Sequence, residues 1–281
     1  MWNPLAPRRP DGMSTEDARL AGIVPPLGHH VPKAPPRDVL FTPFRLARTA
    51  LRIALRLRTL RRNPLGSPEI RAVMMELLEL LGIRLTMWGM DRLLPGGQLL
   101  MWNQTSHLDH FVLGAVIPVP FRSLYNIEVA RIPFYRSWLE RNGHYLVDRF
   151  DEAQWRRSIE QAAAWMREGN TMLVSPEGTR SWDGHILPMK RGAMWLARTA
   201  RLPVVPVVIY GARDALPRGR FSIVPGQVEA EIRPPIPTEP LASETVGRLE
   251  QVIADAFRQA LAEGPPSLRK GALPPASAPN C

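Results

Sequence analysis

The chain has 281 residues, 45% of them hydrophobic, enough for one large core or two small ones. Its single cysteine, Cys281, allows no internal disulfide framework, so a reducing compartment such as the cytoplasm is expected. The formal net charge is +10, and residues 1–65 supply most of it, with twelve Lys/Arg against four Asp/Glu (12 − 4 = +8). So concentrated a positive block points to an anionic surface, either lipid headgroups or nucleic acid.

In chain order, residues 1–39 are rich in Pro and Gly and read as an arm without regular structure. The start MWNPLAPRRPDG lacks an apolar signal core, and no uncharged apolar run nears the roughly 20 residues that span a bilayer. Residues 40–83 read as a basic amphipathic helical region at a membrane surface. Leu46, Ala50, Ile53, Leu57 and Leu60 fall on one helical stripe, Arg45, Arg48, Arg52 and Arg56 on another. The arginines are expected to meet lipid phosphates beside an apolar stripe in the headgroup zone. The plainer alternative is a solvated surface helix, but no acid lies between Asp38 and Glu69, whereas solvated faces mix both signs. A second helix is expected at 68–82, after the breaker NPLGSP.

From residue 84 to 263, short apolar runs alternate with helical patterns. RLTMWG, GQLLMWN, FRSLYN, GHYLVDR, NTMLVS, PVVPVVIY, FSIVP and QVEAEIR read as strands. Helices are expected at 106–116, 132–141, 151–168, 188–200 and 241–262. The alternation predicts an α/β fold, a mixed, largely parallel sheet flanked by helices and preceded by the N-terminal helical pair. Residues 264–281 read as a tail like the arm.

Four segments carry candidate chemistry. In NQTSHLDH (103–110), Ser106 and Asp109 have the spacing of a capping box, so Asp109 need do no more than cap a helix. Its place, between a strand end and a helix start, is also where α/β sheets put ligand sites. In VSPEGTRSWDGHILPMKRGAMWLA (174–197), Gly178 lets backbone approach a ligand, and Arg180 offers a phosphate-binding fork, with Lys190 and Arg191 adding charge. ARIPFYRSWLERNGHYLVDR (130–149) taken alone reads as core packing. In LPVVPVVIYGA (202–212) the prolines at 203 and 206 suggest an edge strand or a bulge.

In the order and spacing of all four segments the chain resembles the lysophospholipid/glycerol-phosphate acyltransferase family (1-acylglycerol-3-phosphate acyltransferase-like). That family's first block is Asn-His-x-Ser-x-x-Asp. Here it is Asn103-Gln104-Thr105-Ser106-His107-Leu108-Asp109. The second is matched by Ile132-Pro133-Phe134, Gly143 and Asp148-Arg149. The third, Pro-Glu-Gly-Thr-Arg-Ser, is matched without change by residues 176–181, and the fourth by Pro203-Val204-Val205-Pro206. The resemblance implies transfer of an acyl chain from acyl-CoA or acyl carrier protein to the hydroxyl of a lysophospholipid or glycerol-phosphate acceptor. It implies a phosphate site in which Arg180 binds and Glu177, Gly178 and Thr179 shape the loop. The expected partners are the carrier, the acceptor and an anionic membrane surface, with peripheral attachment on the cytoplasmic face.

The departure is Gln104, at the position of the family's general base; a carboxamide takes no proton near neutral pH. Three readings stay open. His107 serves as base, although on a helix His107 and Asp109 point to nearly opposite sides. Gln104 positions an acceptor needing less base assistance, with Asp109 or a water accepting the proton. Or the chain is a catalytically impaired homologue that binds lipid. Nucleic-acid binding through the basic N-terminus is a different class, with no interleaved aromatic platform to support it. No metal or cofactor is implied: the six histidines show no ligand spacing.

Overall fold

The runs QLLMW, TMLV and VVPVVIY are buried at every position, and they form the middle of the sheet, where a strand covered on both faces must be apolar on both. The computed structural model describes residues 13–20, 25–26, 29–131, 135–148, 151–239 and 245–269. Its elements are α1 (Thr15–Leu20), α2 (Pro36–Arg62), α3 (Pro68–Leu80), β1 (Ile83–Trp88), β2 (Gln98–Trp102), α4 (Asp109–Val116), β3 (Phe121–Asn126), α5 (Tyr135–Arg141), β4 (Tyr145–Val147), α6 (Glu152–Arg167), β5 (Thr171–Val174), α7 (Arg191–Ala200), β6 (Val204–Tyr210), α8 (Ala212–Ala215), β7 (Gly226–Ile232) and α9 (Val246–Glu263). The described residues form one seven-stranded sheet in the order β1-β7-β6-β2-β5-β3-β4. Every neighbouring pair is parallel except β6 with β7.

Two apolar layers cover the sheet. On one face Leu78 of α3 and Val112, Leu113 and Val116 of α4 pack against β1, β2, β6 and β7. On the other, Ile159, Met166, Met194, Ile253 and Phe257 of α6, α7 and α9 pack against β2, β5 and β6. Ser67, Asp151 and Thr245 cap α3, α6 and α9 through their side chains, each worth about 1 kcal/mol. β2 leads through α4 to β3, while its neighbour β5 leads through α7 to β6 on the other side of β2. The two crossovers run in opposite directions over opposite faces of the sheet, α4 on one and α7 on the other, the arrangement that leaves a crevice at the carboxyl ends of β2 and β5.

Several expectations need correction. The arm is not irregular throughout: Thr15–Leu20 is helical and α2 begins at Pro36. FSIVP is not a strand. Ile223 is buried there, and its backbone bonds go to α2, from its N–H to Thr42 Oγ1 (3.0 Å) and from Arg45 Nη1 to its carbonyl (3.1 Å). Pro206 sits in the central strand β6, not at an edge. Its carbonyl accepts from Arg233 N–H (2.8 Å) on the β7 side, so its missing N–H also faces that side, just where β7 leaves the ladder. Helix 106–116 starts only at Asp109, because Ser106 is held in an antiparallel bridge to Pro217. Ile132-Pro133-Phe134 and Arg149 lie outside the described residues, as does the tail from residue 270.

The N-terminal helix departs most from expectation. Asp38, Thr42, Arg45 and Thr49 recur every three or four residues and are buried or half-buried against the protein, and Arg52 and Arg56 continue their line toward α3. Arg45 pairs with buried Asp38 (3.3 Å), and Arg52 and Arg56 pair with Glu76 of α3 (2.7 and 3.5 Å). Three of the four arginines expected to meet lipid are therefore paired with acids of the protein, Arg45 half-buried and Arg52 and Arg56 at the surface. The opposite face shows Leu40, Phe44, Leu51 and Leu55, each more than 60% exposed. Among the described residues no helix is long and apolar enough to cross a membrane.

Candidate active site

The crevice is floored by two loops, 103–108 after β2 and 175–190 after β5, which Gln104 and Glu177 stitch together. Glu177 is buried. Its Oε1 accepts from Gln104 N–H (2.9 Å) and its Oε2 from Leu187 N–H (2.8 Å). The Gln104 carbonyl in turn accepts from Ser181 N–H (2.7 Å). Both main-chain groups of Gln104 are thus committed, and its carboxamide makes no hydrogen bond to the described residues. Burial pushes the Glu177 carboxyl up to about 8, against the two N–H groups that favour its ionised form. Both Glu177 oxygens accept from backbone N–H groups, so this residue ties the two loops together. Asn103 fastens the first loop on its other side, with its carboxamide pairing with both main-chain groups of Ile209 (2.8 and 3.0 Å).

Asp109 is fully buried at the first turn of α4. One oxygen, Oδ2, accepts from the N–H groups of Thr105 (2.8 Å) and Ser106 (2.9 Å), the half of a capping box that reaches back along the chain. The expected reciprocal bond is absent: Ser106 Oγ donates to the Leu216 carbonyl (2.8 Å) and accepts from Leu108 N–H (3.1 Å). The other oxygen, Oδ1, has no partner among the described residues. A capping role needs one oxygen, and an idle buried second one is costly unless something else uses it. Burial raises the Asp109 pKa to about 7, with the two N–H groups and the Arg180 charge pulling it down.

His107 does not reach Asp109; no hydrogen bond joins them. It stands before α4 as an exposed residue, yet desolvation of its ring in the crevice, and then the charges of Arg180, His110 and Arg218, lower its pKa to about 4. The imidazole is therefore neutral at pH 7. His110 packs its ring against Trp102 (6.0 Å) and Tyr125 (6.4 Å), within electrostatic reach of Arg180.

Gly178 takes a left-handed conformation (φ 60°) that turns the chain toward Thr179, which is buried, and Arg180, which is half-buried. Burial lowers the Arg180 pKa and the charge of Asp109 raises it, which places the guanidinium and the carboxyl in one electrostatic neighbourhood. Beside the loop lies a cleft of about 700 Å³, in contact with Gly178 and Lys190 and made apolar by Leu124, Val147, Ile159 and Val174. Sequence reasoning missed Arg218. It is buried, donates from Nη1 to the Arg180 carbonyl (2.6 Å) and lies over the Trp182 ring (4.1 Å). A lone arginine in the turn PRGR carries no motif, so only the fold reveals it. Among the described residues no three His, Cys, Asp or Glu side chains are placed to hold a metal ion.

Residues 84–210 match the family model Acyltransferase. This domain belongs to the acyltransferase family. The 1-acyl-sn-glycerol-3-phosphate acyltransferase of Limnanthes alba is 30% identical over 156 residues, covering 55% of this chain and 56% of that protein. The alpha form of the human 1-acyl-sn-glycerol-3-phosphate acyltransferase is 27% identical over 220 residues, covering 72% and 74%. The chain spans about half to two thirds of the length of several curated relatives it matches. The crystal structure of PlsC from Thermotoga maritima, a 1-acyl-sn-glycerophosphate acyltransferase, superposes with a TM-score of 0.61 at 23% identity, over 83% of this chain and 91% of that one. That likeness extends the shared fold beyond the acyltransferase domain to most of the chain. The 84–210 match ends at Tyr210, so both loops of the site lie inside the acyltransferase domain, whereas Arg218 and α2 lie outside it.

Proposed function

We propose that the chain moves an acyl group from a thioester donor, acyl-CoA or acyl carrier protein, to the hydroxyl of a lysophosphatidate-type acceptor. The observation that carries this is the grouping of Asp109, Gln104 and Arg180 at the carboxyl ends of β2 and β5, with an apolar cleft alongside. Arg180 takes the acceptor's phosphate, its planar fork suited to two oxygens at once. The cleft takes the donor's chain. The acceptor hydroxyl attacks the thioester carbon, a carbon–oxygen bond forms, and the carbon–sulfur bond breaks. Gln104 orients the hydroxyl by donating a carboxamide N–H to its oxygen, which leaves the hydroxyl proton for Asp109. The unpartnered Oδ1 of Asp109 takes the proton and passes it to the departing thiolate. A carboxylate ionising near pH 7 suits that task better than one ionising near 4.

Attachment to an anionic membrane surface is part of this reading, since both lipids reside there. The support lies in α2, whose apolar side faces outward and whose arginines hold it to the protein. A second reading has a specific observation behind it. Gln104 is no base and His107 has no bond to Asp109, so the same site fits a homologue that binds lipid without turning it over. The experiment that separates them is acyl transfer to lysophosphatidate by the wild type and by Asp109→Asn. Transfer that Asp109→Asn abolishes supports the first reading. Lysophosphatidate binding without transfer supports the second.

A further inference from the structure

We infer that the groove between α6 and α7 holds the phosphates of a coenzyme A donor, met at its far end by Arg201 and Arg167. This deepens the reading above, rests on the thioester lying at the crevice, and selects coenzyme A over a carrier protein as the donor. Arg191, Trp195 and Arg198 follow one another at helical steps along α7 and so share one side of it. Trp195 joins two hollows. With Arg191 it lines the 700 Å³ cleft at the catalytic end of α7. At the other end it lines a second cavity of about 550 Å³ with Arg167, Arg198, Thr199 and Arg201. Among the described residues no acid lines this second cavity. Nor does any acid occur in the chain between Asp183 and Asp214, whereas a solvated surface mixes both signs.

A separate feature is the backbone of Arg201. Among the described residues it is the one non-glycine with positive φ (55°), at the left-handed position that closes α7, where glycine is the default. Arginine is strained there, and such strain gathers at functional sites. Its side chain is exposed and forms no ion pair with the described residues. From the end of α6, Arg167 Nη2 donates to the Thr199 carbonyl (2.5 Å), which holds that guanidinium at the same cavity. The spacing fits the donor. The 10 residues of α7 carry the groove about 15 Å from the crevice to this cavity. The pantetheine arm of coenzyme A separates its sulfur from its phosphates by about 15 Å, judged by the reach of extended backbone with as many bonds. The acyl chain then takes the apolar floor of the cleft, and the arm follows the rim along α7. The nucleotide brings a pyrophosphate and a ribose phosphate to the arginines. A carrier protein brings a single phosphodiester, and a concavity of this size suits a small molecule better than a folded surface.

The test is calorimetric and needs no turnover. The full chain is titrated with coenzyme A, with adenosine 3′,5′-bisphosphate, which keeps phosphates but lacks the arm, with a holo acyl carrier protein and with glycerol 3-phosphate. Thermal melting checks the fold of each variant. The wild type is expected to bind coenzyme A, with adenosine 3′,5′-bisphosphate competing. Arg201→Gly, which suits the left-handed backbone, should melt within a few degrees of wild type. It should bind coenzyme A roughly tenfold more weakly, the usual scale for losing a charge-assisted hydrogen bond. Adding Arg167→Gln should weaken coenzyme A further and leave glycerol 3-phosphate affinity unchanged. Unchanged coenzyme A affinity in the double variant would overturn the inference. So would carrier-protein binding that needs Arg201 when coenzyme A binding does not. If Arg201→Gly does not fold, Arg201→Gln with Arg167→Gln decides by the same readout. A wild type that binds glycerol 3-phosphate but not coenzyme A sinks the inference alone. One that binds neither sinks the proposed function with it.

Discussion

Asp109 has one oxygen spent on the N–H groups of Thr105 and Ser106 and one oxygen with no partner. A buried acceptor left idle costs about 1–3 kcal/mol, so its retention argues for a use. Supplying the base that the resemblance expects should reveal that use. Gln104→His is predicted to raise the initial rate of transfer by about 10²–10⁴-fold, the usual yield of general-base catalysis, with an unchanged rate counting against Asp109 as its partner. The stitching role of Glu177 makes a different prediction. Glu177→Ala strands two buried N–H groups and should cost roughly 2–4 kcal/mol in urea unfolding at pH 7. The same two acids set a pH dependence. Both ionise near pH 4 in an unfolded chain, and burial holds them protonated to about 7 (Asp109) and about 8 (Glu177) when folded. Between those limits the folded state binds more protons, so stability is present at low pH and lost as pH rises through 7 and 8. The melting temperature should fall from pH 5 to pH 8, and Asp109→Asn should flatten part of that slope. The role of Asp109 was only half legible in the sequence. Spacing to Ser106 gives the cap, whereas the idle oxygen depends on Ser106 Oγ turning to Leu216, 110 residues away in the chain.

At the scale of elements, α2 is a helix whose polar face is inside. The charge pattern along 45–56 marks it as amphipathic, but its orientation depends on Asp38, Glu76 and the Ile223 carbonyl, which no local pattern links to those arginines. The orientation divides the labour between the two faces. Leu51→Glu together with Leu55→Glu should abolish co-sedimentation with anionic vesicles and leave the melting temperature within a few degrees, because both side chains are already exposed. Arg52→Ala should instead loosen α2 from α3 by under about 1 kcal/mol, as expected for a partly exposed pair, with vesicle binding kept. The reverse pattern would mean the arginines face the lipid after all. The buried strands β2, β5 and β6 were legible because burial on both faces leaves a continuous apolar run. FSIVP imitated such a run, but Phe221 is 79% exposed and Ile223 serves as the seat for α2.

For the whole molecule, function follows from where the crossovers part. Sending the chain after β2 over one face and after β5 over the other opens the sheet at two adjacent strand ends, where the two loops carry Gln104 and Arg180 and the first turn of α4 carries Asp109. The alternation of strands and helices made that architecture readable, and the unbroken run at 176–181 marked the loop. Arg218 was not readable, since its part depends on a turn beyond β6 folding back over the loop. The central claim is that this site transfers acyl groups with Gln104 in place. The most direct test incubates the full chain with acyl-CoA and lysophosphatidate on vesicles, and counts phosphatidate formed against free thiol released. One thiol per phosphatidate is expected for the wild type, none for Asp109→Asn, and a faster rate for Gln104→His. An inert wild type beside an active Gln104→His would contradict it, and would leave a lipid-binding protein whose catalytic base has been replaced.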